Sequence, residues 1–400
     1  MKFEISTPLF REAIDVIKTI VSFKDDEYNH LLLEAENDTL FITAADASVG
    51  LTLKLPTNIF ENLKLHQQGS VVVEASTLIK IISAIKPFTE KDGKGCKSIL
   101  FDEVDGKAMI LYDVAYGGKK STNQVRALPM FESSSVFRTW LEEPGSSFLS
   151  LPSSTLNKAI SKVAYASGID ELDMRLGNIS FDTVEEGDTE FVRLMATNGV
   201  KLAKFHIPVG PDSGKNFENF LLPTKLAKRL LKIIPASLDS SDIVFSFLNN
   251  RVLLKSIDSF TTVSCPMFVG GFPNCERLFL DPVDNTVVDK ELLFDAVFGL
   301  NQISDEDDNR VTVSFSNDKC KVSVQGNTLG ESSDISIAAV ESDRLYDFNA
   351  RLLLDTLKNM NSDLVCIKFY TGTPSRVMFE EITEDGSKGL NSILVPLRRY

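Results

Sequence analysis

Apolar residues recur along this chain with two different spacings, and the two spacings alternate in a regular order. Segments with an apolar residue every three or four positions begin near Thr7, Glu74, Leu151, Phe220, Val287 and Phe348. Between and after them, short runs such as TLFITAA, DIVFSFL and RVTVSFS alternate apolar with polar positions. The first spacing is typical of helices and the second of half-buried strands. The order helix, strands, helix, strands occurs three times along the chain. The pattern therefore predicts an α+β fold of three repeated domains, each with antiparallel sheet and two helices.

Two segments interrupt this order and predict the domain boundaries. The stretch 126–145 is rich in Ser, Glu and Pro and loses the alternation, and 280–286 does the same. We interpret both as linkers. The predicted domains are residues 1–129, 130–283 and 284–400.

The segment 220–237 is the most cationic of the predicted helices. Pro223 suits the first turn of a helix, and Pro235 suits its end. Its apolar positions share one predicted face and are Leu226, Leu230, Ile233 and Ile234. Its other positions include Lys225, Lys228, Arg229 and Lys232, with no acidic residue among them. Such a helix is either an ordinary solvated amphipathic helix or one that faces a polyanion.

Charge is distributed unevenly between these segments and the rest of the chain. The formal net charge is −14, yet five of the six predicted helices carry more basic than acidic residues. An acidic protein with a local basic surface attracts a polyanion to one place and repels it elsewhere. Chance placement of surface charge is the alternative interpretation.

The remaining composition excludes several classes of protein. The N-terminus lacks the apolar core of a signal peptide, and no apolar run is long enough for a membrane helix, so we expect a cytoplasmic protein without a membrane partner. Five scattered cysteines without a CxxC pair fit a reducing compartment better than a disulfide framework or a zinc site. Three dispersed histidines, no GxSxG and no phosphate-binding loop argue against a hydrolase or transferase. We expect no catalytic residue, metal or cofactor.

Several short motifs resemble the bacterial sliding clamp, the β subunit of DNA polymerase III. They are MKFEIS from Met1, LFITAADASVGL from Leu40, LMATNGVKLA from Leu194, GGFPNCERLF near Gly271, LLLDTLKNM from Leu352 and ILVPLRRY from Ile393. Each motif is weak alone, but they occur in all three repeats in the family's order. The chain is therefore identified as a divergent member of that family.

The resemblance implies a function without catalysis. Two subunits would join head to tail into a ring with helices inside and sheets outside. The ring would encircle duplex DNA without sequence preference, be opened by a clamp loader, and tether the replicative polymerase and other partners. A repeat-built scaffold for protein interactions that does not encircle DNA is the alternative.

The resemblance also assigns residues to three surfaces. A partner-peptide groove would comprise Arg175, Leu176, Thr197, Gly199, Lys201, Leu202, Pro273, Leu278, Val395, Pro396 and Leu397. The DNA-facing cations would be Lys24, Lys80, Lys86, Lys158, Lys162, Lys225, Lys228, Arg229, Lys232, Arg351 and Lys358. The dimer interface would include Val125 and Ile303.

The chain departs from the family pattern at the groove. Asn198 and Val200 stand where the family often has aspartate and histidine, and Val395 and Leu397 replace terminal methionines. We therefore expect the groove to prefer a somewhat different peptide.

Overall fold

The computed structural model describes most of the chain. The described residues are 1–26, 28–47, 49–117, 119–132, 137, 149–168, 176–210, 217–236, 242–248, 251–256, 260–267, 271–304, 309–324, 329–372, 375–383 and 388–398.

All six segments with helical spacing form helices. They are α1 (Thr7–Ile17), α2 (Ala75–Ala84), α3 (Ser153–Ala164), α4 (Thr224–Ala236), α5 (Lys290–Asn301) and α6 (Ala350–Lys358). Asp289 caps α5, because its Oδ1 accepts a hydrogen bond from the Leu292 N–H at 2.9 Å. Asn349 caps α6 in the same way. α4 begins one residue after Pro223, which ends the preceding strand.

The strands follow the alternating runs. In the first part of the chain they are β1 (Lys2–Ser6), β2 (His30–Glu36), β3 (Thr39–Ala45), β4 (Gly50–Pro56), β5 (Leu63–Gln67), β6 (Gly69–Glu74), β7 (Lys94–Gly95), β8 (Ser98–Val104), β9 (Lys107–Tyr116) and β10 (Lys119–Phe131). In the middle they are β11 (Leu149–Pro152), β12 (Asn178–Glu186), β13 (Thr189–Thr197), β14 (Lys201–Val209), β15 (Phe220–Pro223), β16 (Asp242–Leu248), β17 (Arg251–Ser256) and β18 (Thr261–Pro266). In the last part they are β19 (Asp284–Asp289), β20 (Arg310–Ser316), β21 (Lys319–Val324), β22 (Gly330–Glu331), β23 (Ile335–Ser336), β24 (Arg344–Asn349), β25 (Leu364–Phe369), β26 (Val377–Glu381) and β27 (Asn391–Leu394).

The chain divides into two compact units, each made of two chain segments. The first comprises Met1–Leu156 and Arg229–Met267. Its strands form one antiparallel sheet in the order β11-β16-β17-β18-β4-β3-β2-β6-β10-β9-β8-β1-β5, with β7 paired to β9. Phe3 and Phe101 stack in its core with ring centroids 5.0 Å apart, and Phe10 of α1 meets Phe3 edge-on.

The second unit comprises Asn157–Lys228 and Phe268–Tyr400. It contains an eight-stranded sheet in the order β15-β12-β13-β14-β27-β26-β25-β19, and a smaller sheet in the order β22-β21-β20-β24 with β23 beside β21. Phe181 and Phe220 stack at 4.8 Å on the larger sheet. This sheet joins β14 to β27 and so brings the C-terminal segment beside the middle of the chain.

Both predicted linkers were placed wrongly in part. β10 continues through Arg126 to Phe131 and pairs with β9 as far as Pro129, and β19 begins at Asp284 within the second predicted linker. Pro129 breaks the sequence alternation, yet a proline is tolerated where a strand has an unpaired edge. The other edge of β10 pairs with β6 only at Met130 and Phe131 among the described residues. The three domain boundaries remain a prediction.

Two further findings concern possible disulfides and membrane helices. All five cysteines are unpaired, and four of them are buried. Among the residues that the structure describes, no helix has the length and apolar character needed to cross a bilayer.

Candidate peptide groove and cationic helices

The tight connection between β13 and β14 is held by side-chain hydrogen bonds. Thr197 Oγ1 donates to the Lys201 carbonyl at 2.7 Å and accepts the Gly199 N–H at 3.1 Å. Asn198 Oδ1 accepts the N–H groups of Val200 and Lys201 at 3.1 and 2.8 Å. Gly199 has φ +90°, a conformation that favours glycine. The predicted NGVK motif is thus a rigid turn that exposes Val200.

The C-terminal segment lies against this turn. β27 pairs with β14 so that Leu394 is opposite Lys201, and the Val395 N–H then donates to the Val200 carbonyl at 2.9 Å. Further along, the Leu397 N–H donates to the Asp347 carbonyl at 2.7 Å. Val395, Pro396 and Leu397 are all half-buried. Their backbone is therefore fixed while part of each side chain stays accessible.

An apolar cluster lies on the face of the sheet beside this segment. We call it the groove cluster, and its buried members are Leu202, Cys275, Tyr370, Met378 and Ile393. Phe272, Leu278 and Phe279 pack against it and are partly buried. A short 3₁₀ helix, Glu276–Phe279, brings Leu278 to the cluster. The Arg376 Nε–H donates to the Leu278 carbonyl at 3.0 Å, and the Tyr370 hydroxyl donates to the Phe279 carbonyl at 3.3 Å.

Lys201 has a different environment from the one expected of a groove residue. Its side chain is 7% exposed, and its Nζ lies 3.6 Å from Asp355 Oδ2 and 5.2 Å from the centroid of the Tyr165 ring. Burial lowers the pKa of Lys201, although Asp355 partly opposes this effect. Its ammonium group is therefore engaged by α6 rather than directed into solvent.

Among the described residues, Leu176 does not belong to the side chains that pack against the groove cluster. Leu176 is half-buried, and its carbonyl accepts the Gly168 N–H at 2.7 Å. Arg175 lies outside the described residues. Pro273 is half-buried next to Phe272.

Most of the predicted DNA-facing cations are exposed, on the helices α2, α3, α4 and α6 or on the segments that follow α1 and α2. The exposed residues are Lys24, Lys80, Lys86, Lys158, Lys225, Lys228, Lys232, Arg351 and Lys358. α4 shows the clearest division, because its apolar residues Leu226, Leu230 and Ile233 are buried while its lysines are exposed. Arg229 of the same helix is partly exposed and forms an ion pair with Asp46.

Lys162 lies in the interior, unlike those nine cations. It is 4% exposed, and its Nζ lies 3.0 Å from Glu381 Oε1 and 2.5 Å from the Asn359 carbonyl oxygen. Burial opposes ionisation of Glu381, but the N–H groups of Leu390 and Asn361 and the ammonium of Lys162 hold its pKa below the usual value. Lys162 therefore serves a buried ion pair and does not present its charge to solvent.

Known proteins resemble this chain along its whole length. A beta sliding clamp of Caulobacter vibrioides is 23% identical over an alignment 417 positions long, which covers 100% of both chains. One of Streptococcus pneumoniae is 20% identical over 410 residues, covering 99% of each. The crystal structure of the Caulobacter crescentus beta sliding clamp matches with a TM-score of 0.81 at 18% identity, again over 100% of both chains. No family model matches the chain. The chain is similar in sequence to bacterial beta sliding clamps over its whole length, and it has the fold of their solved structures.

This confirms the resemblance and the α+β fold class predicted from the sequence. The DNA polymerase sliding clamp of Pseudomonas aeruginosa gives the same TM-score of 0.81 at 17% identity. The sliding-clamp fold accounts for the recurrence of helix and strand segments along the chain. Closure of a ring, the three surfaces and the domain boundaries remain predictions.

The two predicted dimer-interface residues are both exposed, one in the middle of a strand and the other just after a helix. Val125 is 48% exposed on β10, on the stretch whose second edge has no described partner strand. Ile303 is 39% exposed just after α5 and packs close to Gly330 of the edge strand β22. Each residue thus lies near a sheet edge that has no partner strand among the described residues.

Sequence reasoning missed most of the groove cluster. Tyr370 and Met378 lie in or next to strands predicted only as alternating runs, and Ile393 begins the family motif ILVPLRRY without being assigned to the groove. The signal that could have found them is register: Leu202 pairs with Ile393, which pairs with Met378. This register joins residues far apart in the chain, so the local pattern did not reveal it.

Proposed function

We propose that the chain is a DNA polymerase processivity factor, a non-catalytic subunit of a ring-shaped clamp. The observation that carries the proposal is similarity in both sequence and fold, over the full length, to proteins named beta sliding clamps. In this proposal the three domains 1–129, 130–283 and 284–400 form half of a ring, and a second copy completes it. The ring encircles duplex DNA and serves the DNA polymerase III holoenzyme.

Encirclement explains why exposed lysines suffice as the DNA-facing surface. A closed ring stays on DNA by topology, so no tight contact is needed. Lysines in solvent attract phosphate through diffuse charge and read no bases, which permits sliding. The exposed lysines of α4, together with Lys24, Lys80, Lys86, Lys158, Arg351 and Lys358, supply that charge. Lys162 is omitted from this surface because it is buried.

The open edge of β10 and the edge near Ile303 are the surfaces we assign to ring closure. Pairing of two sheet edges from different copies would satisfy backbone groups that are otherwise unpaired. A head-to-tail arrangement uses two different edges and closes only if the rotation between copies is correct. The exposed Val125 and Ile303 would then be covered by the partner copy.

The groove cluster and the segment Val395, Pro396 and Leu397 form the proposed docking site. An apolar surface bordered by fixed backbone suits a short peptide with large apolar side chains. The polymerase, the clamp loader and other partners would attach through such peptides. Tethering raises the effective concentration of polymerase at the primer end.

Retention on DNA of different topology tests the proposal. The chain is loaded by a bacterial clamp loader and ATP onto nicked circular duplex, and bound protein is measured by gel filtration before and after the circle is linearised. We expect retention on the circle and loss after linearisation. Equal persistence on both forms would contradict encirclement. A monomer in multi-angle light scattering across micromolar concentrations would contradict ring closure by two copies.

A further inference from the structure

On three neighbouring strands of the eight-stranded sheet, β14, β27 and β26, one face changes from apolar to polar within two residues. Leu202, Ile393 and Met378 lie opposite one another in the pairing register and all belong to the groove cluster. The next row on the same face consists of Lys204, Asn391 and Glu380. Alternate residues of a strand share a face, so both rows belong to one continuous surface.

A cavity of about 480 Å³ opens on the polar part of this face. Its lining carries both signs of charge: the basic side chains are Lys204, Lys368 and Lys388, the acidic ones are Glu186, Glu380 and Glu381, and His206, Phe279 and Met378 lie among them. Phe279 and Met378 also belong to the groove cluster or pack against it. A chain seated on the cluster would therefore have its neighbouring residues at the mouth of this cavity.

Lys204 is the cation in this cavity that lacks an acidic partner. Its Nζ lies 3.8 Å from the centroid of the Phe279 ring, and no carboxylate oxygen of the described residues lies within 4.0 Å of it. The nearby carboxylates are engaged elsewhere: Glu380 with Lys368 at 2.6 Å, Glu186 with Lys388, and Glu276 with Arg193. Burial lowers the pKa of Lys204. A half-buried ammonium group of this kind gains from a carboxylate that reaches it.

His206 adds an unsatisfied polar group to the same cavity. It is 4% exposed, and neither ring nitrogen has a hydrogen-bond partner among the described residues. The closest carboxylate oxygen, Glu186 Oε1, lies 3.5 Å from Nε2. Burial, with Lys204 and Arg193 nearby, lowers the pKa of His206 to about 4, so the ring is neutral at pH 7. A neutral imidazole keeps one N–H available as a donor.

We propose that this cavity, the Lys204 cavity, binds the carboxylate of an acidic residue in the same partner peptide whose apolar side chains lie on the groove cluster. The inference rests on the proposed docking function of that cluster. A carboxylate there would pair with the Lys204 ammonium and accept a hydrogen bond from His206. It would thereby give Lys204 a carboxylate partner and His206 a hydrogen-bond partner, neither of which the described residues supply. The structure thus assigns an electrostatic component of specificity to a site that otherwise selects apolar side chains.

Paired peptides measure this component directly. The probes are short fluorescent peptides with a Leu-Phe pair, in which one flanking position at a time carries either Glu or the isosteric Gln. Binding to the full-length chain is followed by fluorescence anisotropy. We expect Glu to bind about tenfold more tightly than Gln at one position, which corresponds to about 1.4 kcal/mol.

Substitutions at Lys204 locate the effect. Lys204→Met should reduce the Glu-to-Gln ratio to near one, whereas Lys204→Arg should keep a preference for Glu. Lys107→Met, an exposed lysine on β9, is the matched control and should leave the ratio as in the original chain. Thermal unfolding of each variant checks that the fold is retained.

The outcomes separate this inference from the docking proposal. If Glu and Gln peptides bind equally at every position, the Lys204 cavity is not a carboxylate site, while the groove still stands. If the Glu preference survives in folded Lys204→Met, the carboxylate binds elsewhere and the inference is overturned. If no peptide binds at all, the docking function itself fails, and the inference fails with it.

Discussion

The lysines of α4 and the lysines of the second unit's interior have the same side chain and opposite environments. Lys225, Lys228 and Lys232 are exposed on a helix whose leucines are buried. Lys162 and Lys201 are at most 7% exposed, and each is directed at a carboxylate. An exposed lysine on an amphipathic helix presents its charge to solvent, where it can act on a distant polyanion, but the charge of a buried lysine is neutralised by its partner. Formal charge in a sequence window therefore overstates the charge available to DNA.

The largest expected effect on stability comes from breaking the buried ion pair of Lys162 and Glu381. Lys162→Met leaves the Glu381 carboxylate buried with only the N–H groups of Leu390 and Asn361 as donors. We expect the free energy of unfolding to fall by about 3–5 kcal/mol at pH 7, because breaking one side of a buried ion pair leaves an uncompensated charge. Urea denaturation followed by circular dichroism measures the change.

The control for this substitution lies one turn earlier on the same helix. Lys158→Met removes an exposed lysine of α3 and should change stability by less than about 0.5 kcal/mol. The double variant Lys162→Met/Glu381→Leu should recover part of the loss, because it removes both charges. Equal stability of Lys158→Met and Lys162→Met would show that the pair contributes nothing.

His206 gives a smaller effect that depends on pH. Its pKa is lowered to about 4 in the folded chain, against about 6.5 when unfolded, so the unfolded chain binds the extra proton in between. The contribution of the neutral His206 ring to the free energy of unfolding is complete above pH 6.5 and is lost as the pH falls toward 4. The free energy of unfolding should change by about 3 kcal/mol across this range because of His206.

Comparison with His206→Gln isolates this contribution from that of the carboxylates. Urea denaturation at pH 7, 6, 5 and 4 should show the original chain losing more stability than the variant between pH 6.5 and 4. Parallel pH profiles for the two proteins would contradict a neutral, buried His206. Since glutamine keeps a polar group in the Lys204 cavity, the fold itself should persist.

The local spacing of apolar residues was sufficient to predict the helices and most strands. All six helices form at the predicted segments, because each repeats apolar residues at helical spacing and several carry a recognisable cap such as Asp289. Asn37 and Asp38, which connect β2 to β3, both have positive φ, a conformation that Asn and Asp tolerate better than most residues. Pro129 contributed to the wrong prediction of a linker within β10. A proline ends a strand only where its missing N–H would have paired with a neighbouring strand.

The local spacing of apolar residues could not predict contacts between residues that are far apart in the chain. The partner of Lys162 is Glu381, 219 positions away, so the helical spacing that predicted α3 could not separate Lys162 from the exposed Lys158. Likewise the groove cluster depends on the register of β14 against β27. Family motifs indicated Leu202 and Leu278, but they did not indicate Tyr370 or Met378, which the sheet brings beside them.

The smallest effect on stability belongs to the exposed lysines of α4, and it tests their proposed role on DNA. Lys225→Glu, Lys228→Glu and Lys232→Glu combined should lower loading onto nicked circular DNA on the order of tenfold at low salt, because six units of charge change where phosphate passes. A matched variant reverses three exposed lysines elsewhere, Lys64, Lys91 and Lys107, so the net charge is the same. That variant should load nearly as well as the original chain, and both should remain dimeric by light scattering. If the two variants lose loading equally, net charge rather than the position of α4 governs the encounter with DNA, and the assignment of this helix to the DNA-facing surface is wrong.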